Sequence, residues 1–207
     1  MKIIEETYKW KPGVKFSPNV PDTIVIHHAG SKSCTAQEIH RWHLDRGWIG
    51  FAYHYFIRKD GTIHHGRQEN QRGGHLLGAE NINTVGICLE GCYTDYIAKG
   101  QVLTEKIVPE SQLKALIELC MDIKSRWAIK AIKKHSDYSS AQQAKKDCPG
   151  RYFPWEQFTL MVHNPFLAYQ KIIQEKCHFS NPDGVWKVLN THPFAEALYK
   201  QWVESYK

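Results

Sequence analysis

Residues 23–29, TIVIHHA, decide how the rest of the chain is read. The run is β-branched and apolar. The turn-forming PNVPD before it and GSKS after it limit it to the length of one short buried strand. Two histidines, His27 and His28, close that strand. Groups able to hold a metal or move a proton therefore sit at the end of a buried strand, where ligands of α/β sheets gather.

Working outward, Thr35-Ala-Gln-Glu38 is a capping-box pattern that opens a helix through about Arg46, with Ile39, Trp42 and Leu44 facing the sheet. Residues 52–67, AYHYFIRKDGTIHHGR, form two strand-like runs around Asp60-Gly61, which predicts a β-hairpin. TVGICLEG at 84–91 reads as a central strand. Leu113, Leu116, Ile117, Cys120 and Ile123 recur at helical spacing between about Pro109 and Trp127, and a short strand around Ala131-Ile132 leads to His135. Alternating strands and helices predict an α/β fold, a mixed central β-sheet flanked by helices. After Asn164-Pro165 the texture changes to short aromatic-rich helical segments, with Thr191 capping a helix that has Pro193 in its first turn. The expected division is a catalytic domain over 1–164 and a helical appendage over 165–207. Trp186, Phe194, Tyr199 and Trp202 of that appendage either stack on sugars as a wall-targeting element or pack two helices against the catalytic core.

The 207 residues, 42% hydrophobic and 23% charged, fit a soluble globular chain. Apolar runs stay well short of the roughly 20 residues a bilayer span needs, and MKIIEETYKWKPG has no apolar core of secretory-signal length. Synthesis in the cytoplasm without a standard export signal, no stable membrane insertion and a monomeric state are the expectations. The six cysteines are irregularly spaced, which fits reduced thiols better than a disulfide framework. A net charge of +6 suits an anionic partner, with nucleic acid, acidic lipid and anionic wall polymer all open. The sequence lacks the basic arm or reading helix that a nucleic-acid partner requires.

Zinc hydrolysis needs three ligands from neutral imidazole, thiolate or carboxylate, plus an open position for water. His27 or His28 at one strand end, His135 after another and Cys148 in the following loop meet that need if the strands are neighbours. With twelve histidines in the chain, spacing alone does not single out this triple.

IVIHHAG, GWIGFAYHYFIRKDGTIHHGR, NTVGICLEG, His135 and KKDCPG, in that order, closely resemble the N-acetylmuramoyl-L-alanine amidase family, which includes phage lysozymes of amidase type and peptidoglycan recognition proteins. The resemblance covers roughly residues 20–155. It implies zinc held by His27, His135 and Cys148, and catalytic support from Tyr53 and Lys146. His75, in GGHLLGAEN, resembles the family's cleft histidine and is expected on the substrate. Because adjacent strand residues point to opposite faces, His28 is expected beside the site and not on the metal. Glu90 is a candidate partner for a zinc histidine, Cys88 and Cys92 are read as structural, and His64-His65 as surface residues. The interval 136–147 is longer than in the smallest phage members.

The implied function is hydrolysis of the amide between the lactyl group and the first L-alanine of peptidoglycan, by an endolysin acting on the cell wall after the membrane is permeabilised. The rival is a recognition module of the same fold that binds the wall without cutting it. Such modules typically lack the cysteine ligand, whereas Cys148 is present.

Overall fold

The computed structural model describes residues 2–164, 170, 173–174, 181–191 and 195–204. It separates into two compact units, 1–154 and 155–207.

The first unit is built on a six-stranded sheet: β1 (Ile3–Glu5), β2 (Thr23–His28), β3 (Tyr55–Ile57), β4 (Ile63–His65), β5 (Thr84–Leu89) and β8 (Ala131–Lys134), in the order β1-β4-β3-β5-β2-β8. Only the β3–β4 hairpin is antiparallel. A two-stranded ribbon, β6 (Ile97–Ala98) and β7 (Gln101–Val102), stands apart. All six residues of β5 are buried, as the unbroken apolar run requires of a strand covered on both faces.

Helix α1 (Ala36–Asp45) starts at Thr35, whose side chain accepts from the Glu38 amide while the Glu38 carboxylate accepts from the Thr35 amide. This reciprocal cap is worth about 1 kcal/mol. The buried face of α1 consists of Ala36, Ile39, His40 and His43, so two histidines take the place expected of Leu44. They are there because they cap chain: Phe51 N donates to His40 Nδ1 and Ala52 N to His43 Nδ1. Helix α2 (Glu110–Arg126) buries Leu113, Leu116, Cys120 and Ile123 among others, as its periodicity requires.

Two further features depart from the sequence reading. Strand β1 pairs in parallel with β4, and His64 and His65, expected at the surface, bind Glu6 and Glu5 through Nδ1 at 2.7 and 2.8 Å to fasten it. Glu90 reaches no histidine. Its carboxylate accepts from the Cys34 and Lys59 amides and from Arg58, because β5 ends where the turn before α1 and the hairpin turn converge. The five described cysteines are free thiols, while Cys177, Pro193 and Phe194 lie outside the described residues.

In the second unit, α4 (Trp155–His163) is followed by helices Pro182–Leu189 and Ala195–Glu204. Ile173, Trp186, Ala195 and Tyr199 form a separate small core.

Burial of neutral histidines gives the first unit a defined acid response. His43 and His54 are held down at about 4, in each case chiefly by burial. Both accept backbone N–H groups through Nδ1, as only an uncharged ring can. With folded values below the ordinary 6.5, the native state binds fewer protons than the unfolded chain between those limits. The stability is complete above about pH 6.5 and is lost as pH falls through about 4. Urea midpoints measured against pH should be flat near neutrality and fall steeply below about pH 6.5; a midpoint constant down to pH 4 would contradict this packing.

Candidate metal centre

Parallel pairing of β2 with β8 aligns Ile26 with Lys134, so one residue further along His27 stands beside His135. The chain then passes through α3 (Ser139–Gln143) and returns so that Ser136 N donates to Cys148 O at 2.9 Å. Gly150 permits the return. At φ 106° its added Cβ would fall 2.0 Å from Tyr93 O, an approach no other residue tolerates. Asp147 closes the loop by accepting from the Thr94 hydroxyl at 2.7 Å and the Arg151 amide at 3.1 Å.

The outcome is one cluster. One ligand atom each from His27, His135 and Cys148 lie within 4.8 Å of one another. His27 Nδ1 is 3.1 Å from His135 Nδ1 and 3.9 Å from Cys148 Sγ. A tetrahedral zinc ion, with bonds of about 2.05 Å to nitrogen and about 2.3 Å to sulfur, requires edges of about 3.3 and 3.6 Å. The donor set therefore fits zinc in type and number, and both spacings from His27 fall within a few tenths of an ångström of those edges.

Electrostatics favours the same use. Burial, followed by the neighbouring His75 and His135, holds His27 well below its ordinary value. Burial and the nearby Lys146 charge bring His135 down to about 4. Both rings are neutral near pH 7 and have lone pairs to offer. Burial pushes the Cys148 thiol up to about 12, although the His28 amide points at its sulfur from 3.4 Å. His28 itself turns to the other face, where its Nδ1 accepts from Tyr93 N at 3.0 Å.

Around this cluster, the Tyr53 ring stands 5.2 Å from that of His27. The Tyr53 phenol is raised well above its ordinary value by burial first and then by the thiols of Cys88 and Cys148, and it is a hydrogen-bond partner of Cys88. It is a proton holder. Lys146 is exposed at the rim, close enough for its charge to act on both ligand histidines. His75 is 6% exposed, with Nδ1 3.0 Å from His27 Nε2 and Nε2 3.2 Å from the Thr84 hydroxyl. The six residues singled out in the sequence thus lie around one centre. Cys88 beneath Tyr53, and Thr84 and Asn81 behind His75, were not singled out; the closeness of His75, Asn81 and Thr84 in GGHLLGAENINT is the one signal for them.

A mixed sheet flanked by helices, with a His-His-Cys cluster at the ends of parallel strands, is the architecture of the amidase and peptidoglycan recognition class. Residues 17–151 match the family described as N-acetylmuramoyl-L-alanine amidase. The chain belongs to that family, and its activity is that of an amidase. It is 33% identical over 129 residues to an endolysin of Klebsiella phage KP32, spanning 61% of this chain and 78% of that one. The N-acetylmuramoyl-L-alanine amidase LysC from Clostridium intestinale URNW superposes with a TM-score of 0.66 at 34% identity, covering 79% of this chain and 98% of the other. Drosophila PGRP-LB, at 22% identity and a TM-score of 0.57, covers 79% of this chain and 94% of its own and shares the fold.

The protonation states set a proton count for metal binding. Neutral imidazoles give up none, whereas Cys148 must lose its thiol proton to become a ligand. Zinc titrated into the metal-free protein near pH 7 should release about one proton, and affinity should rise about tenfold per pH unit. Calorimetry in buffers of different ionisation heat checks the count, with Cys148→Ser removing it. Release of two or more protons near pH 6 would mean that the histidines are charged before binding.

Proposed function

We propose that this chain is a zinc-dependent amidase that hydrolyses the bond between the lactyl group and the first L-alanine of peptidoglycan, with His27, His135 and Cys148 holding the metal. The observation that supports it most directly is the convergence of those three donors within 4.8 Å beside Tyr53. Zinc bound there would supply Lewis acidity and a water acidic enough to act near neutral pH.

The remaining work falls to the chain. Tyr53, kept protonated by its surroundings, donates its hydroxyl hydrogen to the oxygen that becomes negative when the carbonyl is attacked. Lys146 brings positive charge to the same rim. The hydrophobic floor of Phe51, Phe56 and Cys88 beneath Tyr53 keeps water from that side of the site and so strengthens these interactions.

Similarity to phage endolysins supports a role in lysis, with the cell wall as the place of action and peptidoglycan as substrate. The net charge of +6 favours approach to an anionic wall. Among the described residues no helix is long and apolar enough to cross a membrane. Retention of all three metal donors together with Tyr53 favours cutting over binding alone.

Residues 165–207 serve, in this reading, as a wall-targeting appendage. Trp186 and Tyr199 are buried in that unit's own small core, and Leu198, Tyr199 and Trp202 line an open apolar groove of about 410 Å³ suited to a sugar face. A chain ending at Asn164 should keep activity on soluble fragments while losing wall binding in a pelleting assay. Insolubility of the shortened chain would identify the appendage as a packing element instead.

The decisive assay is release of L-alanine amino termini from purified peptidoglycan. The wild type should release them without new reducing sugar ends, lose activity to a chelator and regain it with zinc. Cys148→Ser should be inactive, and Tyr53→Phe should be slower by about 100- to 1000-fold, the usual cost of one oxyanion donor. Wall binding without release from zinc-replete protein would establish the recognition module.

A further inference from the structure

We infer that His75 is a positioning residue for the metal and not a substrate contact: it fixes the tautomer and orientation of His27, so that Nδ1 is the bare nitrogen presented to His135 and Cys148. The inference rests on the zinc reading above and follows from where each hydrogen must lie.

The Asn81 carbonyl oxygen carries no hydrogen, so the Thr84 hydroxyl donates to it, at 2.9 Å. A hydroxyl has a single hydrogen. Toward His75 Nε2, 3.2 Å away, Thr84 Oγ1 can then only accept, which places the His75 ring hydrogen on Nε2. A neutral imidazole has one N–H, so His75 Nδ1 is bare and accepts from His27 Nε2–H at 3.0 Å. His27 has thereby spent its own hydrogen. Its Nδ1 lone pair faces the cluster, 3.1 Å from His135 Nδ1 and 3.9 Å from Cys148 Sγ.

Both ends of this relay are fixed. Asn81 is pinned by its side chain, which donates to Leu76 O and Gly78 O and accepts from Leu76 N. The His75 ring lies in a slot made by two glycines, since a Cβ on Gly86 or Gly73 would come within 2.3 or 2.5 Å of His75 Cδ2. Gly86 is in the middle of β5, two residues after Thr84, so the same strand provides the floor of the slot and the group that sets the proton. Both His75 nitrogens are committed to protein partners in a 6% exposed ring. Nothing is left for a substrate. The neighbouring His54 does not compete, because its Nδ1 accepts from Gly86 N and its Nε2 donates to Gln71 O.

Three variants of the full chain test this, read by zinc affinity against a fluorescent chelator and by long-range proton–nitrogen spectra of the metal-free imidazoles. Wild-type His27 should show one tautomer, with hydrogen on Nε2. His75→Leu should bind zinc about 10- to 100-fold more weakly, the range for loss of a group that orients a ligand, and excess zinc should restore its activity. His75→Asn, whose Oδ1 can accept where Nδ1 did, should recover most of the affinity. Thr84→Val leaves both rings in place but frees the His75 proton, so both His27 tautomers should appear.

A folded His75→Leu with wild-type zinc affinity, or one impaired only through KM at saturating zinc, would overturn the inference and return His75 to the substrate. A single unchanged His27 tautomer in Thr84→Val would overturn it independently, even if His75→Leu failed to fold. If the wild type bound no zinc, the metal reading would fail, while the tautomer measurement on the metal-free protein would still decide the role of His75.

Discussion

Everything at the centre depends on the parallel pairing of β2 with β8 on one side and β5 on the other. The pairing matches Ile26 with Lys134 and His27 with Cys88, so one strand end receives a histidine from its right-hand neighbour's continuation and a thiol-lined floor from its left. A slip of one residue in β2 would replace His27 by His28 on that face, because side chains alternate. The register is secured by burial. Ile24, Val25 and Ile26 are each fully buried, and moving them past equally buried Val85 and Ile87 would open cavities costing several kcal/mol.

Much of this is legible in the sequence. A short, β-branched apolar run bounded by turn residues fits a strand covered on both faces, and β2 and β5 are such strands. The capping box of α1 and the periodicity of α2 are local signals with local causes. What the sequence could not supply was the match of distant partners. Glu90 looked like a ligand's helper because it ends a central strand, yet donors from Ser33, Cys34, Arg58 and Lys59, at α1's entry and the hairpin, reach it first. His64 and His65 looked exposed because their partners, Glu5 at the end of β1 and Glu6 just after it, lie 58 residues or more away in sequence. The second unit was the least legible, since short aromatic-rich segments do not tell a sugar platform from helices packed on the catalytic core; Trp186 and Tyr199 lie in a small core of the unit's own, and Trp202 both packs against it and lines the groove.

Identity of the candidate ligands was more legible than their preparation. Motif order places His27, His135 and Cys148, but a histidine with two nitrogens is not a defined ligand until one of them is bare. That definition comes from His75, Thr84 and Asn81, whose contribution is made through hydrogen positions and glycine-lined space. Spacing in a sequence carries no information about either.

Burial has opposite effects on the two ligand types, and both serve the site. Removing water disfavours imidazolium, which leaves His27 and His135 neutral, and it disfavours thiolate, which keeps Cys148 protonated. The metal-free cluster is therefore uncharged, and the interior need not stabilise an ionised thiolate beside Tyr53 and Cys88. The same desolvation holds the Tyr53 hydrogen in place, since a phenolate among Cys88 and Cys148 would be repelled by any negative charge there. In the proposed mechanism Tyr53 is therefore a hydrogen donor, with Lys146 exposed at the rim beside the cluster.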